Sequence, residues 1–153
     1  VASPIDQTPT LAGFQDFITN VMQIDSTNLP PDSVIIPIAF QLALDIVNQT
    51  LQRVNCDIYT FAVYNLAASN LINWAHDIPN GTYFANLRAK WKIDAFAAGV
   101  LTSSSDQSTS STLLNPEQMK ELTMMNLQQL KDSYGRTYLG FAQIVGTQLF
   151  GIT

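Results

Sequence analysis

Between Asp57 and His76 the chain offers almost no polar face. Ile58, Phe61, Val63, Tyr64, Leu66, Leu71, Ile72 and Trp74 fall on nearly all sides of a helix, with the small Ala62, Ala67, Ala68 and Ser69 between them. A helix that is apolar all round has to be enclosed by other elements. A chain of 153 residues is long enough to bury a real core, and its length fits one domain better than two. This segment is therefore expected at the centre of that domain. It does not read as a membrane span. Asn65, Asn70 and Asn73 interrupt it, Gln41, Asp45 and Asn48 interrupt the other long candidate, and a span needs about 18–20 predominantly apolar residues.

Amphipathic segments flank that centre. Leu11, Phe14, Phe17, Ile18 and Val21 recur at i, i+3, i+4 and i+7 after Thr10, which predicts a helix buried along those positions and ending near Met22 to Ile24. Leu29-Pro30-Pro31 breaks it; Asp32 or Ser33 can cap the next helix, with Pro37 in the first turn, where a missing N–H does no harm. From about Ile38 to Leu51, the stripe Phe40, Leu44, Val47 and Leu51 lies opposite Gln41, Asp45, Asn48 and Gln52, so one half-buried helix is expected. Asn55-Cys56-Asp57 breaks that helix, with Asp57 placed to cap the central one, which should run to about His76.

Ile78-Pro79-Asn80-Gly81 is a turn signal, followed by a shorter helix whose buried face is Tyr83, Phe84, Leu87 and Trp91. The Ala-rich continuation from Ile93 reads as helix ending near Gly99, although Gly99-Val100-Leu101 also fits the start of an extended segment. Asn115-Pro116-Glu117-Gln118 restarts helix with a cap and Pro at the first position, continuing through Leu122, Met125 and Leu130. Asp132-Ser133-Tyr134-Gly135 is a kink or a new start, and Tyr138, Leu139, Phe141, Ala142 and Val145 carry the last helical stretch. The expected fold is mainly α: a single compact bundle of four to six helices with an extended Ser/Thr-rich loop or hairpin at 102–112, an extended N-terminal arm over 1–9 and a C-terminal tail over 146–153.

The surface that such a bundle would present is short of charge. Only 12% of the residues are charged, about half the roughly 25% of an ordinary soluble domain, while 46% are hydrophobic. Much of the remainder is Asn, Gln, Ser and Thr, which points to a subunit covered by other chains. Charge is scarcest over 95–116, where Asp106 stands alone, and after Arg136, where there is none. Charges would carry a desolvation cost in an interface, whereas hydroxyls and amides can pair across it. The N-terminal Val1-Ala2-Ser3-Pro4 lacks the basic start and apolar stretch of a signal peptide and fits removal of an initiator Met, although a removed leader would leave no trace.

Little in the sequence points to catalysis. His76 is the sole histidine and stands beside Asp77, but Ser69 is not set in a nucleophile-elbow sequence, so His76 reads as a histidine at a helix C-terminus. Cys56 is alone, which leaves no internal disulfide, and only Arg53 is near enough to activate it. The ten Asp residues are scattered without a calcium-loop pattern, and no glycine-rich phosphate loop occurs. No enzyme activity, metal or cofactor is expected. Arg88, Lys90 and Lys92 alternate around Ala89 and Trp91 as a polar face beside a buried Trp, and a net charge of −5 disfavours binding to phosphate backbones.

Residues 102–112 read Thr-Ser-Ser-Ser-Asp-Gln-Ser-Thr-Ser-Ser-Thr, with nine of eleven positions Ser or Thr. Such a tract reads most simply as a flexible linker. The sharper reading is a hairpin or extended loop, based on Val100, Leu101, Leu113 and Leu114, that pairs with neighbouring subunits.

Three segments together resemble the head-to-tail adaptor proteins of tailed bacteriophages. They are the central Tyr59-Thr60-Phe61-Ala62-Val63-Tyr64-Asn65-Leu66-Ala67-Ala68-Ser69-Asn70-Leu71, then Gly99-Val100-Leu101 opening the Ser/Thr-rich loop, and Tyr134-Gly135-Arg136-Thr137-Tyr138-Leu139 near the end. Leu66, Leu71, Tyr134, Gly135, Tyr138 and Leu139 occupy matching places, over a span of roughly 11–145. Two features depart from the family: Asn70 stands where a central-helix histidine is usual, and the loop has Ser and Thr in place of alternating valines. The resemblance implies a structural virion protein of the neck, assembled in the host cytoplasm. Its expected partners are identical subunits in a ring, commonly dodecameric, the portal protein, and tail, tail-tube or nozzle proteins, with no membrane and with DNA only passing through the lumen. The interface residues expected on that reading are Val100, Leu101, Thr102, Ser105, Asp106, Thr109, Leu113, Tyr134, Arg136, Leu149, Phe150 and Ile152. The competing expectation is a small helical ligand-binding or regulatory module with a pocket around Tyr64, Trp74, Trp91 and Tyr138.

Overall fold

The computed structural model describes residues 8–94, 104–106, 109–111 and 128–150, with side chains described for 8–94 and 128–144. It is mainly helical. The helices are α1 (Leu11–Asn20), α2 (Ile35–Ile46), α3 (Thr50–Val54), α4 (Cys56–Trp74), α5 (Tyr83–Lys90) and α6 (Ser133–Phe150). A two-stranded antiparallel hairpin, β1 (Ser104–Asp106) and β2 (Thr109–Ser111), lies between α5 and α6 in the chain.

α4 is the axis that its composition requires. Thirteen of its nineteen residues are buried, including every position from Ala62 to Ile72. α2 and α6 pack along it, while α1, α3 and α5 close the remaining sides. Asn55 begins the helix, its Oδ1 accepting from the N–H groups of Asp57 and Ile58 at 2.8 and 3.3 Å. The expected cap, Asp57, is instead a first-turn acid that favours the positive end of the helix dipole. Asn55, two positions earlier, adopts the extended cap conformation, and its amide oxygen satisfies two otherwise orphaned donors.

α1 docks through aromatic packing. The Phe14 ring lies 5.9–6.5 Å from those of Phe17, Phe40 and Tyr64, joining α1 to α2 and α4. Tyr64 also accepts from the Thr10 N–H, and Gly13 leaves space for its hydroxyl, which an added Cβ would strike. Leu11 and Val21, expected on the buried stripe, are exposed. The helix is only ten residues long, so its first and last apolar positions extend past the surface it covers.

The single helix expected over 38–51 is two helices. α2 ends at Ile46; Val47 adopts an extended conformation, and the Asn48 Oδ1 accepts the Thr50 N–H at 2.9 Å to start α3. Asn competes locally for backbone hydrogen bonds, while Val47 and Leu51 stay buried on either side of the break. α2 begins without a side-chain cap, so neither Asp32 nor Ser33 serves that role, and Pro37 lies in the first turn.

The shorter helix after the turn, α5, stops at Lys90, before the Ala-rich stretch read as helix to Gly99. Lys92 has a φ of 53°, and the N–H groups of Lys92 and Ile93 return to the carbonyls of Ala89 and Arg88, closing a Schellman-type end with Ile93 buried beneath it. Residues 95–99 lie outside the described residues, as do Asn115 and the helix start read there. At the other end, α6 continues through Gly146 to Phe150, where the tail was expected.

Gly140 and Gly135 give opposite substitution predictions. Nothing lies within 4 Å of a Cβ built on Gly140, which is exposed within α6. Gly140→Ala is expected to raise stability by about 0.5–1 kcal/mol through helix propensity and lower unfolded-state entropy. A Cβ on Gly135 would collide with the Gln129 backbone carbonyl, so Gly135→Ala is expected to cost about 1–3 kcal/mol. Urea midpoints of the two variants should move in opposite directions; a shared direction would contradict the packing at Gly135.

Candidate functional site

α6 is joined to α4 by a buried polar junction. Asp132 is fully buried; its Oδ1 accepts the Gly135 N–H at 2.6 Å, starting α6, and its Oδ2 accepts the Ser69 hydroxyl of α4 at 2.7 Å. Asp132-Ser133-Tyr134-Gly135 is thus a helix start and not a kink. Burial raises the Asp132 carboxyl above the usual carboxylate range, opposed by the hydrogen bonds from Gly135, Ser69 and Tyr134 and by the charge of Arg136.

The junction continues as a network of amides. Gln128 Nε2 donates to Asn73 Oδ1 at 2.7 Å, Asn73 Nδ2 donates to the Ser69 carbonyl at 2.7 Å, and Lys131 Nζ donates to the Ile93 carbonyl at 2.8 Å. Beside these bonds is a half-open cleft of about 310 Å³, walled by Leu42, Ile46, Trp74 and Ile93. Asn70 and Gln129 also line it; they are 9% and 4% exposed, and Asn70 Nδ2 and Gln129 Oε1 have no hydrogen-bond partner. Neither residue was singled out as a site from the sequence, since no motif marks two neutral amides 59 positions apart.

The residues expected at interfaces separate into three groups. Ser105, Asp106 and Thr109 lie on the hairpin, where Ser105 pairs with Ser110 and Asp106 with Thr109 across a two-residue connection. Tyr134 is half-buried, its ring meeting Phe17 and Trp91 edge-on at 6.2 and 6.1 Å, so it is largely a packing residue of its own subunit. One side of Tyr134 still borders a shallow groove with Val21, Phe61 and Phe141. Arg136 is exposed. Leu149 and Phe150 belong to the last turn of α6. Val100, Leu101, Thr102, Leu113 and Ile152 lie outside the described residues.

Three of the four aromatics suggested for a ligand pocket pack in different places. Tyr64 packs on Phe14, Phe17 and Phe40, Trp91 packs on Tyr134, and Trp74, 41% exposed, borders the cleft described above. Nor do His76 and Asp77 form a dyad. Asp77 directs one oxygen to the Phe84 N–H at 2.6 Å and the other to the Ala85 N–H at 3.0 Å, capping α5 from outside the helix. Arg88 in turn donates to the Ile72 and Ala75 carbonyls at 2.9 and 2.7 Å, closing the C-terminus of α4. The basic cluster therefore loses its first member, Arg88, to a structural role.

Cys56 is half-buried at the start of α4, with its Sγ 3.7 Å from the Gln52 carbonyl. Among the described residues, no group of three His, Cys, Asp or Glu side chains is placed to hold a metal, and no helix is long and apolar enough to cross a membrane. Comparison of the chain with family models, curated proteins and solved structures finds no match.

Proposed function

We propose that this chain is a head-to-tail adaptor subunit of a tailed bacteriophage, forming a ring that docks on the portal and joins the capsid to the tail. The observation that carries the reading is the hairpin. Its six strand residues are Ser, Thr and one Asp, without an apolar side chain among them. An isolated two-stranded hairpin is marginal in water, and this one has no hydrophobic face with which to dock on its own helical body. Its backbone edges and hydroxyls are suited to a neighbouring chain, which could extend the ladder or pair with the side chains. The low charge over 95–116 and after Arg136 agrees with contacts that would desolvate any charge placed there.

Two of the segments that carry the family resemblance meet in the subunit interior. Ser69, on the central stretch, bonds Asp132, the residue that starts the Tyr134-Gly135-Arg136-Thr137-Tyr138-Leu139 helix. The reading thus assigns those segments to building a rigid subunit and the charge-poor segments to assembly.

Electron microscopy of the purified chain mixed with portal protein provides the test. A closed ring on the portal is the expected result; a chain that stays monomeric with portal present overturns the proposal. Ser105→Lys with Ser110→Lys places two like charges directly opposite each other in the hairpin, a destabilising arrangement. The double variant is expected to keep the wild-type monomer melting temperature and to lower ring yield several-fold. Wild-type ring yield would remove the hairpin from the interface.

A further inference from the structure

The charge of the chain is divided unevenly along it. Residues 1–52 hold five Asp and no Lys or Arg, whereas the remaining residues hold seven acids and seven bases, so the whole net charge of −5 belongs to the first third. In the fold, that third supplies α1, α2 and their connection, on which Asp16, Asp25, Asp32 and Asp45 are all exposed. α2 also turns an apolar stripe outward. Val34, Ile38, Gln41 and Asp45 recur at i, i+4, i+7 and i+11 and are all exposed, Val34 by 71% and Ile38 by 50%. Gln41 Nε2 donates to Asp45 Oδ1 at 3.2 Å, as neighbours on one stripe do. The outer face of α2 is therefore apolar at its start and acidic at both ends, through Asp32 and Asp45, and the described residues leave it uncovered.

The complementary charges lie where the end of α5 meets the start of α6. Lys90 and Lys92 are exposed on either side of the half-buried Trp91, whose ring meets that of Tyr134 at 6.1 Å, and the exposed Arg136 follows two positions after Tyr134. Of the acids beside them in sequence, Asp132 is buried in its own hydrogen bonds and Asp94 alone is exposed. A two-fold contact through either patch would set like charges against like, which disfavours it. Two patches of opposite sign on one subunit instead suit a head-to-tail contact, and repeated contacts of that kind close a ring. We propose that the outer face of α2 is a docking surface for a second copy of this chain, which presents its basic corner of Lys90, Lys92 and Arg136 around Trp91. Charges at the edge of such a contact set orientation and partner choice, while Val34 and Ile38 supply its apolar centre. This contact presupposes the ring of the adaptor reading and names two faces that form it.

Two charge-reversed full chains, each mixed with portal protein and scored for ring yield by electron microscopy, provide the test. One carries Asp32→Lys with Asp45→Lys. The other carries Lys90→Glu with Lys92→Asp, Asp being a residue that tolerates the φ of 53° at position 92. All four positions are exposed, so both monomers should keep melting temperatures close to that of the natural chain. Each variant alone is expected to lower ring yield several-fold. Mixing the two in equal amounts should restore the yield, because in an alternating ring every reversed face meets an opposite charge on its neighbour. That rescue also shows that both variants are folded. Natural yield from both separate variants, or a loss that mixing does not rescue, overturns the proposal and leaves the ring itself in place. A loss confined to the α2 variant assigns that face to the portal and likewise overturns it. Absence of any ring from the natural chain overturns the adaptor reading, and this contact with it.

Discussion

Phe14→Ala is expected to destabilise the chain by about 3–5 kcal/mol, the range for removing a fully buried aromatic ring. Phe14 is 0% exposed and is the residue through which α1 meets both α2 and α4. Its loss removes ring contacts with Phe17, Phe40 and Tyr64 at once, and the cavity is bounded by three large side chains that cannot all move inward. The measurement is the urea midpoint, with an unchanged m-value showing that the folded and unfolded states kept their extents. Phe14→Leu retains most of the volume and should cost much less. A loss below about 1 kcal/mol for the alanine variant would mean that α1 is not held by this cluster.

The second large effect is expected at Asp132. Asp132→Ala removes the start of α6 and its link to Ser69 together, leaving the Gly135 N–H without its acceptor, for an expected loss of about 2–4 kcal/mol. Asp132→Asn keeps an acceptor of the same shape and should cost far less. The two forms also separate by pH. Because burial raises the folded carboxyl above its ordinary value, the folded state binds the proton more tightly than the unfolded chain does. The contribution of Asp132 is therefore fully present below the ordinary carboxylate value and is lost as pH rises through the folded one. Relative to Asp132→Asn, the natural chain should gain stability on acidification across that interval. Denaturation curves of both proteins at neutral and mildly acidic pH test the sign; a relative loss on acidification would mean that the hydrogen bonds and Arg136 outweigh burial.

Both effects originate in positions that the sequence reveals unequally. Phe14 is visible as the centre of an amphipathic period, and burial of the 62–72 stretch follows from its having almost no polar face, whatever the arrangement around it. Asp132 could be read only as a kink or a start, because its role depends on Ser69, 63 residues away. Asp77 shows the same difficulty at shorter range. Its neighbour in sequence is His76, yet its carboxylate reaches the first turn of α5, since the Ile78–Gly81 turn folds the chain back on itself. Helix ends were less legible than helix faces. The stop at Lys90 relies on Lys92 taking a positive φ without a glycine, stabilised by burying Ile93. The break after Ile46 likewise depends on an Asn side chain winning a backbone donor.

The hairpin lies between these cases. Its hydroxyl-rich composition marked 102–112 as a tract that cannot form a core, while the choice between linker and paired strands needed the register, in which Ser105 meets Ser110. The cleft was not legible at all. Asn70 is one polar residue within an apolar helix and Gln129 one of several glutamines, and only the tertiary packing brings both residues to the lining of one cleft.

What the sequence determined by itself was the central helix, the apolar faces and the scarcity of charge, because periodicity and composition act through neighbours along the chain. The tertiary structure alone decided the helix ends, the α4–α6 junction and the unpartnered amides of the cleft. Those depend on which polar groups, distant in sequence, are brought within hydrogen-bond reach once water has been excluded around them.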